Sequence, residues 1–233
     1  MKHIKHIVNG IIWTIAGLYI ILIILLHIPT VQGFIGDEVS DALAKKLGTK
    51  VAIGRVDLGF LNRLIIDDVS IQDQTGGKML EAKRISAKFD ILPLTQGKIS
   101  ISSTQLFGLK AFLYQQTAQS KPNFQFVLDS LASKDTTHQQ RLDIHISSLI
   151  IRHGEIAYDK RYLPTTPHEF SLSHLHAKEI SGHFIINAIR DDSIHVNIKE
   201  LSFAERSGLD IRSLKFKLIA TKTYFHAVYA LFC

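Results

Sequence analysis

The spacing of hydrophobic and polar positions changes along this chain, and each change marks an element. From Ile7 to Ile28 there is no Asp, Glu, Lys or Arg, and the only polar relief in a run of Ile, Leu, Val, Trp and Tyr comes at Asn9, Thr14 and His27. As a helix at 1.5 Å per residue this run is about 33 Å long, enough for a hydrocarbon core of roughly 30 Å. The pattern predicts a basic tip and transmembrane anchor over residues 1–30. A cleavable signal peptide is the alternative, but its apolar region is usually about 7–15 residues long and closes on a small-x-small site. Val31-Gln32-Gly33 matches such a site poorly. Lys2 and Lys5 precede the run, and the first charges after it are Asp37 and Glu38. The positive-inside rule therefore puts the N-terminus in the cytoplasm and the body on the far side of the membrane.

After Pro29 the period stays helical but becomes one-sided. Val31, Phe34, Ile35, Val39, Ala42, Leu43 and Leu47 fall on one face, with Asp37, Glu38, Asp41, Lys45 and Lys46 around the rest. An amphipathic helix over residues 31–48 is expected, ended by Gly48, with acids early and lysines late to suit its dipole. It either lies on the membrane surface or packs on one end of a sheet. The mixed sign of its polar face favours packing.

Beyond Gly48 the period drops to two. Val51 and Ile53 alternate, the phase slips at Gly54-Arg55, and Val56, Leu58 and Phe60 resume, which implies a bulge or bend. Leu64 and Ile66 are followed across Asp67-Asp68 by Val69 and Ile71, then a turn at Gly76-Gly77, then Ile85, Ala87, Phe89 and Ile91. Ile99, Ile101, Phe107, Leu109, Ala111 and Leu113 complete a first meander over residues 49–114. Residues 115–140 form a polar connection with one short helix candidate around Phe126 to Leu131. A second meander over residues 141–233 takes in Leu142, Ile144, Ile146, Leu149 and Ile151, a turn at Gly154, Ile156 and Tyr158, then Phe170 and Leu172, and the alternating runs from Ile185 to Leu218. The expected fold class is mainly β: a membrane helix and an amphipathic helix, then antiparallel strands in a twisted, groove-like sheet wet on one side.

Composition narrows the function. There are 27 Lys and Arg against 21 Asp and Glu, giving a net charge of +6, but the basic residues are scattered and no nucleic-acid-reading motif occurs. Anionic lipid near the anchor is the simpler partner for a mildly basic chain. The single cysteine, Cys233, excludes an internal disulfide.

No nucleotide loop, nucleophile elbow or HExxH helix is present, so an enzyme would have to rest on histidines or paired acids. His174 and His176 share one face of an expected strand that continues Phe170 and Leu172, with His168 and His183 near in sequence as further metal ligands. No carboxylate or cysteine stands at a recognised ligand spacing beside them, and strand-end or surface histidines are the simpler reading. His145 and His195 point away from their apolar neighbours and read as solvated. Asp67-Asp68 and Asp191-Asp192 read as strand ends or turns, where Asp binds nearby backbone, rather than as acid–base pairs. We therefore expect no catalytic residue, no metal and no cofactor.

The order of these features resembles a known family. The basic tip and membrane helix, the stretch HIPTVQGFIGDEVSDALAKKLGTKVAIGRVDLGFLNRLIIDDVSIQD, and the later ISSLIIRHGEIAYD and IKELSFAERSGLDIRSLKFKL are similar to the N-terminal part of AsmA-like/TamB-like proteins of bacterial envelopes. The likeness covers essentially the whole chain but consists of hydrophobic patterns rather than catalytic signatures. It implies a single-pass inner-membrane protein with a periplasmic, apolar-lined β-groove, engaged in phospholipid transport between membranes or in outer-membrane protein assembly. Under that reading Val69, Ile71, Phe89, Ile91, Ile144 and Ile146 line the groove. Three functional alternatives stand: a groove for phospholipid, a scaffold that pairs client β-barrel strands with its own sheet edges, and a membrane-anchored metal-dependent enzyme. The closing run TKTYFHAVYALFC is strand-like and apolar without a polar tail, so the sheet is expected to continue beyond Cys233.

Overall fold

A computed structural model describes residues 2–59, 62–90, 92, 100–132, 145–166, 168–190, 193–221 and 225–232 of the chain. It opens with a helix, α1 (Lys2–Leu26), which beyond its basic first turns is largely apolar all round: Ile11, Ile12, Trp13 and Ile21, spread around its circumference, are all exposed. Among the described residues no helix is long and apolar enough to cross a membrane. The side chains at positions 7, 8, 22, 23 and 26, inside the run, lie outside the description. The expected transmembrane anchor is thus not shown by the fold, which establishes the helix alone.

Pro29 starts the second helix, α2 (Pro29–Leu47), where its missing N–H costs nothing, and Gly48 ends it in the left-handed region at φ 65°, its N–H bonded to the Ala44 carbonyl. The face that α2 buries includes part of the predicted apolar stripe, Val39 and Leu47, but is centred on its polar and small-residue edge. Gln32, Gly36 and Ser40, one turn apart, are buried, whereas Phe34 is 69% exposed. At Gly36 the reason is close approach: a Cβ there would stand 3.2 Å from the Ile53 carbonyl oxygen, so glycine lets the helix lie this near the backbone of the first strands. Val39, Ala44 and Leu47 flank this strip and pack on the core formed by Val51, Ile53, Val69, Ala82 and Leu109.

The remainder is mainly β. Strands β1 (Val51–Ala52), β2 (Arg55–Gly59), β3 (Arg63–Gln72), β4 (Lys78–Phe89), β5 (Ser100–Phe107) and β6 (Lys110–Gln115) come first. A helix, α3 (Gln125–Ala132), stands in the connection, which is where the short helix is expected. There follow β7 (His145–Ile146), β8 (Ser148–Lys160), β9 (His174–Arg190), β10 (Ser193–Glu205), β11 (Asp210–Ile211), β12 (Leu214–Thr221) and β13 (Phe225–Phe232). All thirteen belong to one sheet in the order β1-β3-β4-β5-β8-β9-β10-β12-β13. Breaks explain the short strands: β1 and β2 both pair with β3, β5 and β6 both pair with β4 and β8, β7 extends β8 against β5, and β11 pairs with β10.

The sheet is mixed, which corrects the purely antiparallel expectation. β8 runs parallel to β5 and β6, with Leu106 opposite Ile151 and Ala111 opposite Ile156. A parallel neighbour needs a crossover of a dozen or more residues, and the connection carrying α3 supplies it. The two predicted meanders therefore join in one continuous sheet.

Side-chain alternation also slips within strands. Asp68 (φ 55°) in β3, His153 (φ 53°) in β8 and Glu179 (φ 54°) in β9 adopt the left-handed conformation, as does Gly108 (φ 62°) between β5 and β6. Their positions are adjacent: Asp68 and Lys83 fall between the ladder pairs Asp67–Arg84 and Val69–Ala82, the Lys83 stem lies over Gly108, and the Gly108 N–H donates to the Arg152 carbonyl. A line of left-handed residues thus crosses the sheet from β3 to β9, and the β8–β9 register shifts on both sides of Gly154. Two predicted features are corrected here. Asp67-Asp68 is not a strand end, and Gly154 is not a turn: both lie inside continuous strands that the neighbouring ladder carries through.

Candidate functional site

Cross-strand register sorts the side chains onto two faces. On the first, Ile66 faces Ile85, Ile85 faces Leu106, Leu106 faces Ile151 and Leu149 faces Phe184. The row continues through Ile198 opposite Phe184, Phe216 opposite Ile198 and Leu218 opposite Val196. This apolar band runs unbroken from β3 to β12. At its first end α2 covers it and Val51, Ile53, Val69 and Ala82 are buried. Further on, Leu149, Ile151, Phe184, Val196, Phe216 and Leu218 are only half-buried, and among the described residues no large side chain is fully buried. Gly182 has a packing role here: a Cβ would stand 2.7 Å from the Phe184 ring, so its absence lets that ring lie flat over β9.

Of the groove residues expected from sequence, Val69 is buried under α2, while Ile71 and Phe89 are half-buried on the apolar face, Ile71 opposite Leu80 and Phe89 opposite Ile101. Ile91 and Ile144 lie outside the described residues, as does the side chain of Ile146. The open part of the band is made by β8, β9, β10 and β12, whose residues were read as strand positions but not as a surface. The same period-two signal marks them; the shared face emerges only from the register between the strands.

The second face is polar and knitted by ion pairs. Asp67, 6% exposed, lies between Arg55 (Nη2 to Oδ2, 2.8 Å) and Arg84 (Nε to Oδ1, 2.6 Å). The Arg84 hydrogen bond holds the Asp67 carboxyl below the usual carboxylate range against the opposing effect of burial, and Arg55 adds to it. The predicted turn at Gly76-Gly77 is organised by Asp73. Although burial works to raise its pKa, hydrogen bonds from the Thr75 hydroxyl, the Tyr114 hydroxyl and the Gly77 and Thr75 N–H groups bring Asp73 down to about 2.

Among the described residues the histidines do not assemble a metal centre. Phe170 and Leu172 lie in a loop, and β9 begins only at His174. His174 is buried with Nδ1 at 2.6 Å from Asp159 Oδ1, and His176 Nε2 stands 2.8 Å from Glu155 Oε1. Sequence spacing could not find these carboxylates, because the β8–β9 register brings them across from another strand. The His176 contact holds the Glu155 carboxyl below its ordinary range, with burial opposing and Lys178 and Lys110 assisting. His183 contacts the Ser148 hydroxyl at 3.1 Å, and His195 is exposed. Among the described residues no group of three or more His, Cys, Asp and Glu is placed to hold a metal ion. Asp191-Asp192 lies outside the described residues.

Comparison with known proteins finds no matching family model, no matching curated protein and no matching solved structure.

Proposed function

We propose that the protein is an envelope-biogenesis protein of the AsmA-like/TamB-like type. It is anchored in the inner membrane with its body in the periplasm, and it carries phospholipid acyl chains on its apolar sheet face, for transport between membranes or for outer-membrane protein assembly. The observation that carries this reading is the half-buried apolar band crossing a single sheet. From β4 to β12 the band crosses about five inter-strand gaps, on the order of 24 Å, against about 15 Å for the acyl chains of one leaflet. Each methylene covered there contributes about 0.8 kcal/mol, so a lipid is held by area alone and needs no covalent chemistry. The polar second face keeps such a sheet soluble on its other side.

The anchor reading rests on α1. Over its whole sequence the run from Ile7 carries no charge, and exposed Ile11, Ile12, Trp13 and Ile21 leave no polar side to present to water. A helix apolar all round needs lipid or a partner around it.

The test is native mass spectrometry and lipid extraction of the full chain purified in mild detergent. Phospholipid should co-purify, and Leu149→Asp with Phe184→Asp should strip it while the protein stays folded. Absence of any co-purifying phospholipid overturns the proposal. The scaffold reading has one supporting observation: the outermost strands, β1 with β2 and β13, pair with no further strand among the described residues. Photo-crosslinkers along β2 that trap β-barrel proteins, with crosslinkers at Ile151 and Phe216 trapping no lipid, would favour it.

A further inference from the structure

We propose that the end of the sheet where β2 stops and β3 starts is a membrane-docking surface. It sits on the bilayer from which α1 emerges, with Leu58 and Leu92 entering the interface and Arg63 and Lys88 meeting anionic headgroups. The proposal rests on the reading of α1 as the anchor and adds an orientation to it, namely which end of the body faces lipid.

The path of α2 fixes which end that is. Just past the helix, the Thr49 hydroxyl donates to the Gln72 carbonyl at the finish of β3. Gly36 lies against the backbone of Ile53, Gly54 and Arg55, and the Gly54 N–H donates to the Asp67 carbonyl. From Thr49 to Gly36 is about 19 Å along a helix, and from Gln72 to Asp67 is about 17 Å along a strand, so α2 runs nearly along β3. Continuing the same way, Pro29 lies about 10 Å beyond Gly36 and Leu58 about 13 Å beyond Gly54. The start of α2 and the finish of β2 therefore stand together, and α1, which leads into α2, touches β2.

The residues at this end suit an interface between lipid and water. Leu58 is 43% exposed and Leu92, just past β4, is 79% exposed, and Ile28 at the head of α2 is exposed as well. Arg63 and Lys88 stand directly opposite each other on β3 and β4, both exposed. Among the described residues no carboxylate lies within ion-pairing distance of either. Like charges facing each other across a ladder repel, and anionic headgroups relieve that repulsion while attracting both groups. The acids of this end are occupied or withdrawn: Asp90 accepts the Ser100 hydroxyl, and Asp57 is half-buried with Oδ1 closed off from solvent. The opposite end of the same two strands meets water instead, with Gln74, Thr75, Gly76, Gly77 and Lys78 all exposed in the β3–β4 turn.

The experiment uses the full chain carrying Cys233→Ser, with one exposed position at a time changed to cysteine, spin-labelled and placed in nanodiscs of phosphatidylcholine with or without phosphatidylglycerol. Relaxation by oxygen against relaxation by a water-soluble nickel chelate reads the depth of each label. With phosphatidylglycerol present, labels on Leu58→Cys and Leu92→Cys should shift to the oxygen-accessible side, while labels on Gln74→Cys and on Leu172→Cys in the loop before β9 should read as aqueous. Removing phosphatidylglycerol should make positions 58 and 92 shallower, and Arg63→Glu with Lys88→Glu should abolish that dependence. A label on Ile21→Cys tests the anchor separately. Position 21 in lipid with 58 and 92 aqueous overturns the docking and leaves the anchor standing, whereas position 21 aqueous overturns both. A lipid signal at 172 in place of 58, or a phosphatidylglycerol effect that survives the double charge reversal, also overturns the proposal. Unchanged circular dichroism in these exposed-residue variants separates loss of docking from loss of the fold.

Discussion

Asp73 makes one contribution to the acid stability of this protein that can be worked from its contacts. Its side chain is buried at 2% exposure, Oδ1 taking the Thr75 N–H (2.9 Å), the Thr75 hydroxyl (2.7 Å) and the Gly77 N–H (2.8 Å), while Oδ2 takes the Tyr114 hydroxyl (2.9 Å). The group thereby ties the β3–β4 turn to the end of β6. Its pKa falls from 3.8 to about 2 in the folded protein. A carboxyl whose folded value is the lower one stabilises the fold above its unfolded pKa and loses that contribution as pH falls through the folded value. At about 1.36 kcal/mol per pH unit the drop corresponds to about 2 kcal/mol, present above about pH 4 and mostly gone at about pH 2. Asp73→Asn keeps the shape and one acceptor oxygen but not the charge. Urea unfolding of both proteins should show the variant weaker by about 2 kcal/mol near pH 6, with the gap closing to under about 1 kcal/mol near pH 2. The other carboxylates with lowered pKa titrate equally in both proteins and cancel in the difference. A gap that stays constant across this range would refute the reasoning.

Further predictions follow from packing and backbone. Replacing both Arg55 and Arg84 by Met strands the buried Asp67 charge and should cost about 3–5 kcal/mol, whereas Asp67→Asn leaves two half-exposed guanidiniums that hydrate and should cost about 1–2 kcal/mol; denaturant midpoints showing the reverse order would contradict the clamp. Glu179→Val should destabilise by about 1–2 kcal/mol although valine favours strands, because position 179 holds φ 54°, while Glu179→Gly should fall within about 0.5 kcal/mol of wild type. Gly36→Leu should lift α2 from β1 and β2 at a cost of about 1–3 kcal/mol. Hydrogen exchange would then speed up across Pro29–Leu47 while β8–β10 stays protected, and unchanged protection of α2 would refute the close-packing account.

The sequence by itself determined the local periods. The helical rhythm around Val39, Leu43 and Leu47, the stop at Gly48 and the alternation in β3, β4, β8 and β10 depend on neighbours a few residues away, and all of them are elements of the fold. Only the tertiary structure decided what those elements do. Asp67-Asp68 and His153-Gly154 carry the residue types of a turn, and the strands continue through them because β4 and β9 supply ladder partners on both sides. The buried face of α2 is centred on Gln32, Gly36 and Ser40, with Val39 and Leu47 of the apolar stripe at its flank, because contact with a neighbouring backbone requires glycine at position 36, which a hydrophobic period does not register. The carboxylates beside His174 and His176, the parallel junction at β8 and the Arg55–Asp67–Arg84 clamp all join residues apart in the chain. Register between strands sets these distances, and register is fixed by the whole sheet's need to bring its apolar residues onto one side at once.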